Sequence, residues 1–209
     1  ARHYHPSNAL FMTYGDVPAH EHQLYFEEYA LKDFARLDVD IHVPDEQRYS
    51  APRTVTERYA LDGEDDTADK THIVLGWLLG TSTDPETLLT AHLLSDVLLD
   101  NSASPLRQVL ETSELGSAPS PLCGLSDSSR EMFFAAGLEG SNPEHAAAVE
   151  QLILDTLRRV AEKGVPQEQV EAMLHQLELS QREVSGDGFP YGLQLMVHAL
   201  APALHGADP

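Results

Sequence analysis

Residues His72 to Leu79 read HIVLGWLL, a nearly continuous apolar run. A run this short cannot cross a bilayer, which takes roughly 20 apolar residues, and it suits a strand buried on both faces. A chain that carries it has to build a sheet and then cover that sheet. No other apolar run approaches spanning length, so the chain is expected not to cross a membrane.

The cover comes from helices whose starts are written into the sequence. Asp84-Pro85-Glu86 supplies a cap residue, a proline at the first helical position and an acid at the positive end of the helix dipole. It opens a helix through TLLTAHLLSDVLL. Ser104-Pro105 opens a second, LRQVLETS, which stops at Leu115-Gly116. Residues 117–121 read as a loop. Asn142-Pro143-Glu144 repeats the cap logic and launches a long amphipathic helix to Lys163, ended by Gly164. Pro166 begins another, to about Ser185. After Gly186-Asp187-Gly188 a last apolar helix runs from Pro190 to Leu204. Near the N-terminus, Pro18 precedes a helix expected over 18–37, with Leu24, Tyr25, Tyr29, Leu31 and Phe34 at near-helical spacing.

Three further segments read as strands. Ala9 to Tyr14 (ALFMTY) is a short apolar run closed by Gly15-Asp16. Arg53 to Leu61 (RTVTERYAL) alternates polar and β-prone residues, and the acidic turn Gly63 to Asp69 joins it to 72–79 as an expected antiparallel pair. Arg130 to Leu138 (REMFFAAGL) is the third strand of this half. The acidic stretch 38–51, broken at Pro44 and followed by Pro52, reads as a connector. Strands grouped among helices in this order imply an α+β fold, with helices packed on one face of a mainly antiparallel sheet. The expected divisions are 1–16, a terminal strand segment; 17–51, a helix and connector; and 52–209, the main domain. No repeat period or low-complexity tract interrupts them.

Thirteen Lys+Arg against 34 Asp+Glu leave a formal charge of −21 on 209 residues. Nucleic acid is therefore a poor partner, and an anionic membrane surface would repel the chain. Acidic residues hydrate a surface well, and a surface of this sign would also steer basic peptides. Cys123 is the single cysteine, which excludes an internal disulfide. It lies in Pro121-Leu122-Cys123-Gly124 with no histidine close in sequence and reads as a buried structural thiol. The opening Ala1-Arg2-His3-Tyr4-His5-Pro6 has no apolar core of a secretory signal and no initiator methionine, so the chain reads as starting inside something longer. The expected setting is soluble, cytoplasm or an organelle matrix.

Eleven histidines raise the question of metal. A helical zinc site needs ligands one turn apart, as in H-E-x-x-H or its inversion H-x-x-E-H. His20 and His22 are two residues apart and point to different sides of a helix. Glu144-His145 carries the closing half of the inverted motif, but Ser141 stands where the first ligand belongs; for Glu21-His22 that place is Pro18. His92, His175 and His198 read as partly buried, satisfied histidines, with no second ligand read one turn away. The carboxylates one turn from His175 are Glu171 and Glu178, and solvated helix charges account for them. No G-x-S-x-G turn is present, and Gly186-Asp187-Gly188 is a helix breaker without a phosphate-cradle pattern. The expectation is no catalytic, cofactor-binding or metal-ligating residue in this chain.

Several segments together resemble a known family. Tyr4-His5-Pro6-Ser7-Asn8 through Tyr14-Gly15-Asp16 is similar to the start of the second, inactive homology domain of insulinase/pitrilysin-type zinc peptidases. Ser104-Pro105-Leu106-Arg107, Leu115-Gly116, Gly124-Leu125-Ser126-Asp127 and Gly137-Leu138-Glu139-Gly140 resemble the presequence-protease branch. So do Glu150 to Leu157, Val170-Glu171-Ala172 and Gly188-Phe189-Pro190-Tyr191-Gly192-Leu193. The resemblance implies that residues 52–209 form an inactive peptidase homology domain and that residues 1–16 link it to a catalytic domain outside this chain. It implies a zinc-dependent parent that degrades unfolded peptides, with zinc bound by the H-x-x-E-H motif of that other domain. The partners implied are the parent's other domains and, in the full enzyme, peptide substrates. An exposed apolar patch is expected where the other domain packs. Two other readings stand beside this one. The chain would be a non-enzymatic subunit of the same fold, or a metal-binding module built on His3, His5, His20 and His22.

Overall fold

The computed structural model describes residues 4–38, 43–63, 66–184 and 188–207. In chain order its elements are α1 (Ala19–Tyr29), β1 (Thr71–Thr81), α2 (Pro85–Leu99), α3 (Pro105–Glu111), β2 (Ala118–Pro119), β3 (Gly124–Ser126), β4 (Glu131–Ser141), α4 (Ala146–Lys163), α5 (Gln167–Arg182) and α6 (Tyr191–Leu204). They divide between two compact units, Gln47–Glu183 and a second made of Ala1–Glu46 with Val184–Pro209. The fold is α+β.

In the unit Gln47–Glu183, β4 is the centre of an antiparallel four-stranded sheet. β1 pairs with one side of it, Ile73 opposite Leu138 and Trp77 opposite Phe134. The short β2 and β3 share the other side. Alternation along β4 sends Phe134, Ala136 and Leu138 into a core completed by Leu98, Leu99, Leu106, Leu110, Val149 and Ile153 from α2, α3 and α4. Phe133, on the opposite face, is 41% exposed. The helices thus cover one face of the sheet. Gly137 is required where β4 crosses β1, because a Cβ there would stand 2.2 Å from the Ile73 carbonyl oxygen.

β1 occupies the position expected of 72–79, but it is not buried on both faces. It lies at the end of the strand order. Ile73, Leu75, Trp77 and Leu79 pack against the core, while His72, Gly76, Leu78 and Gly80 alternate as exposed positions. Its partner is β4, not 53–61, which forms no ladder with it. Residues 117–121, read as a loop, contain β2, and β3 was not anticipated. Strands of two and three residues are too short to show a period.

The helix starts fall where the capping residues put them. The Asp84 carboxylate accepts from the Thr87 amide at 3.3 Å, and Gly164 ends α4 at φ 70. The cap at Asn142 works differently. A 3₁₀ turn, Pro143–His145, comes before α4. The Asn142 side chain leaves the helix end and makes two bonds with Asp69, its amide donating to the carboxylate at 2.6 Å and its oxygen accepting from the Asp69 amide at 2.9 Å. Asp69 sits at φ 55, a conformation Asp tolerates better than most residues.

In the second unit, α1 is shorter than the expected 18–37: it stops at Tyr29 and a 3₁₀ turn, Leu31–Asp33, follows. Residues 9–14 form no strand and have Leu10, Phe11, Met12 and Tyr14 exposed. α6 carries Pro202 in its last turn. Leu24, Tyr25 and Tyr29 of α1 are exposed, and the two tyrosine rings stack on each other. Residues 1–3, 39–42, 64–65, 185–187 and 208–209 lie outside the described residues, and with them His3, part of the acidic connector and Gly186-Asp187.

Candidate functional site

The sharpest polar constellation lies at the α2–β3 junction. His92 Nε2 is 2.9 Å from an Asp127 oxygen, and both side chains are about half exposed. Asp96 stands one turn on from His92, a neighbour the sequence reading passed over although the i, i+4 spacing gives it away. Partial desolvation and then Asp100 hold the Asp96 carboxyl above its usual range, with His92 opposing. As a residue Asp96 is exposed, so the effect is small. His92 is therefore satisfied, as expected, by a carboxylate from another element.

A second cluster surrounds an open cleft of about 220 Å³ lined by Asp69, Glu114, Ser117 and His145, with main chain at Gly116 and Gly140. Ser141, at the place of a first metal ligand, is 1% exposed and donates its hydroxyl to the Leu115 carbonyl. His145 Nδ1 lies 3.2 Å from that same carbonyl oxygen, which can only accept, so Nδ1 donates. The nitrogen nearest Ser141 is thus occupied with the main chain. The pair is a structural tie between the β4–α4 junction and the loop after α3.

The remaining candidates are scattered. His20 and His22 both lie on α1, two positions apart, which keeps them off a common face. His5 Nδ1 accepts from the Ser7 amide at 3.1 Å, and its ring packs edge-on to Phe34. His175 and His198 are exposed, which corrects the expectation of partial burial. His175 is 4.0 Å from Glu178, which also pairs with Arg182 at 2.6 Å, so these are solvated helix charges. Cys123 is half-buried, with Sγ 3.4 Å from the Gly137 carbonyl and 3.3 Å from its amide nitrogen. Burial pushes its thiol above the ordinary value, against the bonds to Gly137 and Ser120. A thiol kept protonated is a weak nucleophile.

Among the described residues no three His, Cys, Asp or Glu side chains are grouped to hold a metal ion. Among the described residues the donors do not fit a catalytic zinc: no three converge on one point, and His145 has Ser141 where its partner ligand would stand.

The family model for the peptidase M16 inactive domain matches residues 1–177. The chain belongs to this family. Its curated relatives place it in the presequence protease branch. It is 35% identical over 210 residues to the mitochondrial presequence protease of Xenopus laevis, covering all of this chain and 20% of the relative. It is 36% identical over 214 residues to that of Xenopus tropicalis, with the same coverage. Against presequence protease 1, chloroplastic/mitochondrial, of Arabidopsis thaliana it is 33% identical over 210 residues, covering all of this chain and 19% of the relative. The chain therefore spans about one-fifth of the length of these relatives. In this chain, residues of the segments that carried the resemblance stand at structural positions: Leu106 and Leu138 in the core, Gly137 at the strand crossing and Asp127 on His92.

Proposed function

We propose that this chain is a scaffold domain of a zinc-dependent metalloendopeptidase that degrades peptides, forming part of the wall of a substrate chamber. It supplies no catalytic, cofactor-binding or metal-ligating residue of its own. Residues 1–16 connect it to a catalytic domain that holds zinc. The observation that carries this reading is the match of residues 1–177 to an inactive peptidase domain. A sheet whose helical core lies on one face can pack helices inward and present its other face as a wall.

The parent's substrates are unfolded peptides of the targeting-sequence kind, as the relatives' printed name suggests. A charge of −21 would favour cationic segments among them by long-range attraction. An organelle matrix is the proposed setting, because the relatives' names are mitochondrial or chloroplastic. No helix among the described residues is long and apolar enough to cross a membrane.

The test is direct. The purified chain, dialysed against zinc and offered an unstructured basic peptide, is expected to hold no stoichiometric metal and to leave the peptide intact. Bound zinc at one equivalent together with cleavage overturns the reading. A non-enzymatic subunit of the same fold is the second reading. An H-x-x-E-H segment in the native reading frame decides for the first reading, and its absence for the second.

A further inference from the structure

Helix α1 has two unlike faces. His22 and Phe26, one turn apart, are its half-buried positions, and Phe26 packs on Phe11 with ring centroids 4.9 Å apart. The opposite stripe carries Glu21, Leu24, Tyr25, Glu28 and Tyr29, all exposed. Its large side chains stand well out into solvent, Leu24 at 64%, Tyr25 at 63% and Tyr29 at 69% exposure. Single exposed apolar residues are ordinary, but these fall together on one helix face.

The two rings stack, with centroids 5.4 Å apart and planes 23° apart. Tyr29 covers the C-terminal side of Tyr25, so the free face of the Tyr25 ring looks back along the helix to Glu21, one turn before it. Glu28 stands on the same stripe, three positions after Tyr25. A ring face carries partial negative charge, and the carboxylates beside it carry full charge, so both attract a cation. Among the described residues no ion pair reaches Glu21 or Glu28, and no cation stands over either ring. Lys32, the nearest cation in sequence, follows on the Tyr29 side, in the 3₁₀ turn after the helix. The chain has few cations to give, 13 Lys+Arg against 34 Asp+Glu. Elsewhere it shows the contact that α1 lacks: the Arg53 guanidinium lies 4.3 Å from the ring centroid of the exposed Tyr49.

We propose that the face of α1 formed by Glu21, Tyr25, Glu28 and Tyr29 is a docking surface for an arginine-bearing peptide segment. The guanidinium lies on the Tyr25 ring and donates its N–H groups to Glu21 or Glu28, while Leu24 flanks the arginine stem. Arginine suits this face better than lysine, because its guanidinium is planar, stacks on aromatic rings and gives up water more readily than an ammonium. Tyrosine is also a residue that carries binding energy at interfaces, since it presents a large area and loses little freedom. The surface is local to α1 and stands whether or not the chain walls a peptidase chamber.

Two capped, unstructured peptides of equal charge test it on the full chain at low ionic strength, one bearing three arginines and the other three lysines at the same places. By fluorescence anisotropy of the labelled peptide, the arginine form is expected to bind about threefold or more tighter. Tyr25→Ala with Tyr29→Ala, which keeps a good helix former at both positions, is expected to abolish that preference and leave the weak attraction common to both peptides. Tyr25→Phe with Tyr29→Phe retains the rings and is expected to keep the preference. Glu21→Gln with Glu28→Gln is expected to weaken the arginine peptide by about threefold or more, whereas Glu168→Gln with Glu171→Gln, which takes the same charge from α5, is not. Binding of neither peptide, equal binding of both, or a preference that survives loss of the rings overturns the proposal. So does a preference lost in the phenylalanine variant, or an equal effect of the two glutamine pairs.

Discussion

At the scale of single residues, the core is defined by side chains with no exposed surface. Leu106 is fully buried in the cluster that joins α3 to the sheet. Replacing it with alanine leaves a cavity that the surrounding helices cannot fill, so Leu106→Ala is expected to cost about 2–5 kcal/mol by chemical denaturation. Cys123 sits in the same wall and is half-buried, with its thiol held protonated by burial. Its alkylation at mildly alkaline pH is expected to be slow in the folded chain and to reach the rate of a free thiol once denaturant is added. Equal rates with and without denaturant would show an accessible, reactive cysteine instead.

Asp96 contributes through pH. Its carboxyl is raised above the ordinary value of 3.8, so the folded state binds its proton more tightly than the unfolded state does. The stabilisation from that proton is complete below the unfolded value and is lost as pH rises through the folded one, leaving a small penalty at neutral pH. Asp96→Asn should raise the denaturation midpoint slightly at pH 7. The gain should fade as the pH falls from the raised folded value toward 3.8 and be gone below it, where aspartic acid is neutral in both states.

Between elements, β3 is held to α2 by the His92–Asp127 pair, both partners being about half exposed. A double-mutant cycle on His92→Ala and Asp127→Ala is expected to give a coupling of about 0.2–1 kcal/mol that weakens in salt. A coupling that survives high salt would mean the pair is more enclosed than its exposure indicates. The Asn142–Asp69 link joins the approach to β1 to the end of β4 and thereby holds together the two strands that start and finish the sheet's main pairing. It also explains why α4 begins with a 3₁₀ turn, since the side chain that would cap the helix is engaged elsewhere.

For the whole molecule, charge and fold point the same way. In the proposed wall role, a net charge of −21 would attract cationic peptides by long-range steering. A cationic amphipathic peptide titrated into the purified chain is expected to bind weakly at low ionic strength and to dissociate between about 50 and 200 mM salt, as surface charges are screened. Binding that ignores salt, or none at any salt, removes the steering role and leaves the wall alone.

The helix starts at Asp84-Pro85, Ser104-Pro105 and Pro166, the stop at Gly164 and the presence of strands over 72–79 and 130–138 were all legible because each depends on residues within a few positions of one another. His20-His22 and Glu144-His145 were read by the same local logic, since chelation on a helix is a matter of spacing. Tertiary structure alone decided that 72–79 lies at an end of the sheet, that Ala118–Pro119 and Gly124–Ser126 are strands, and that Asn142 serves Asp69 rather than its own helix. Those outcomes depend on which distant segment arrives beside which, and a pairing across scores of residues leaves no local pattern to read.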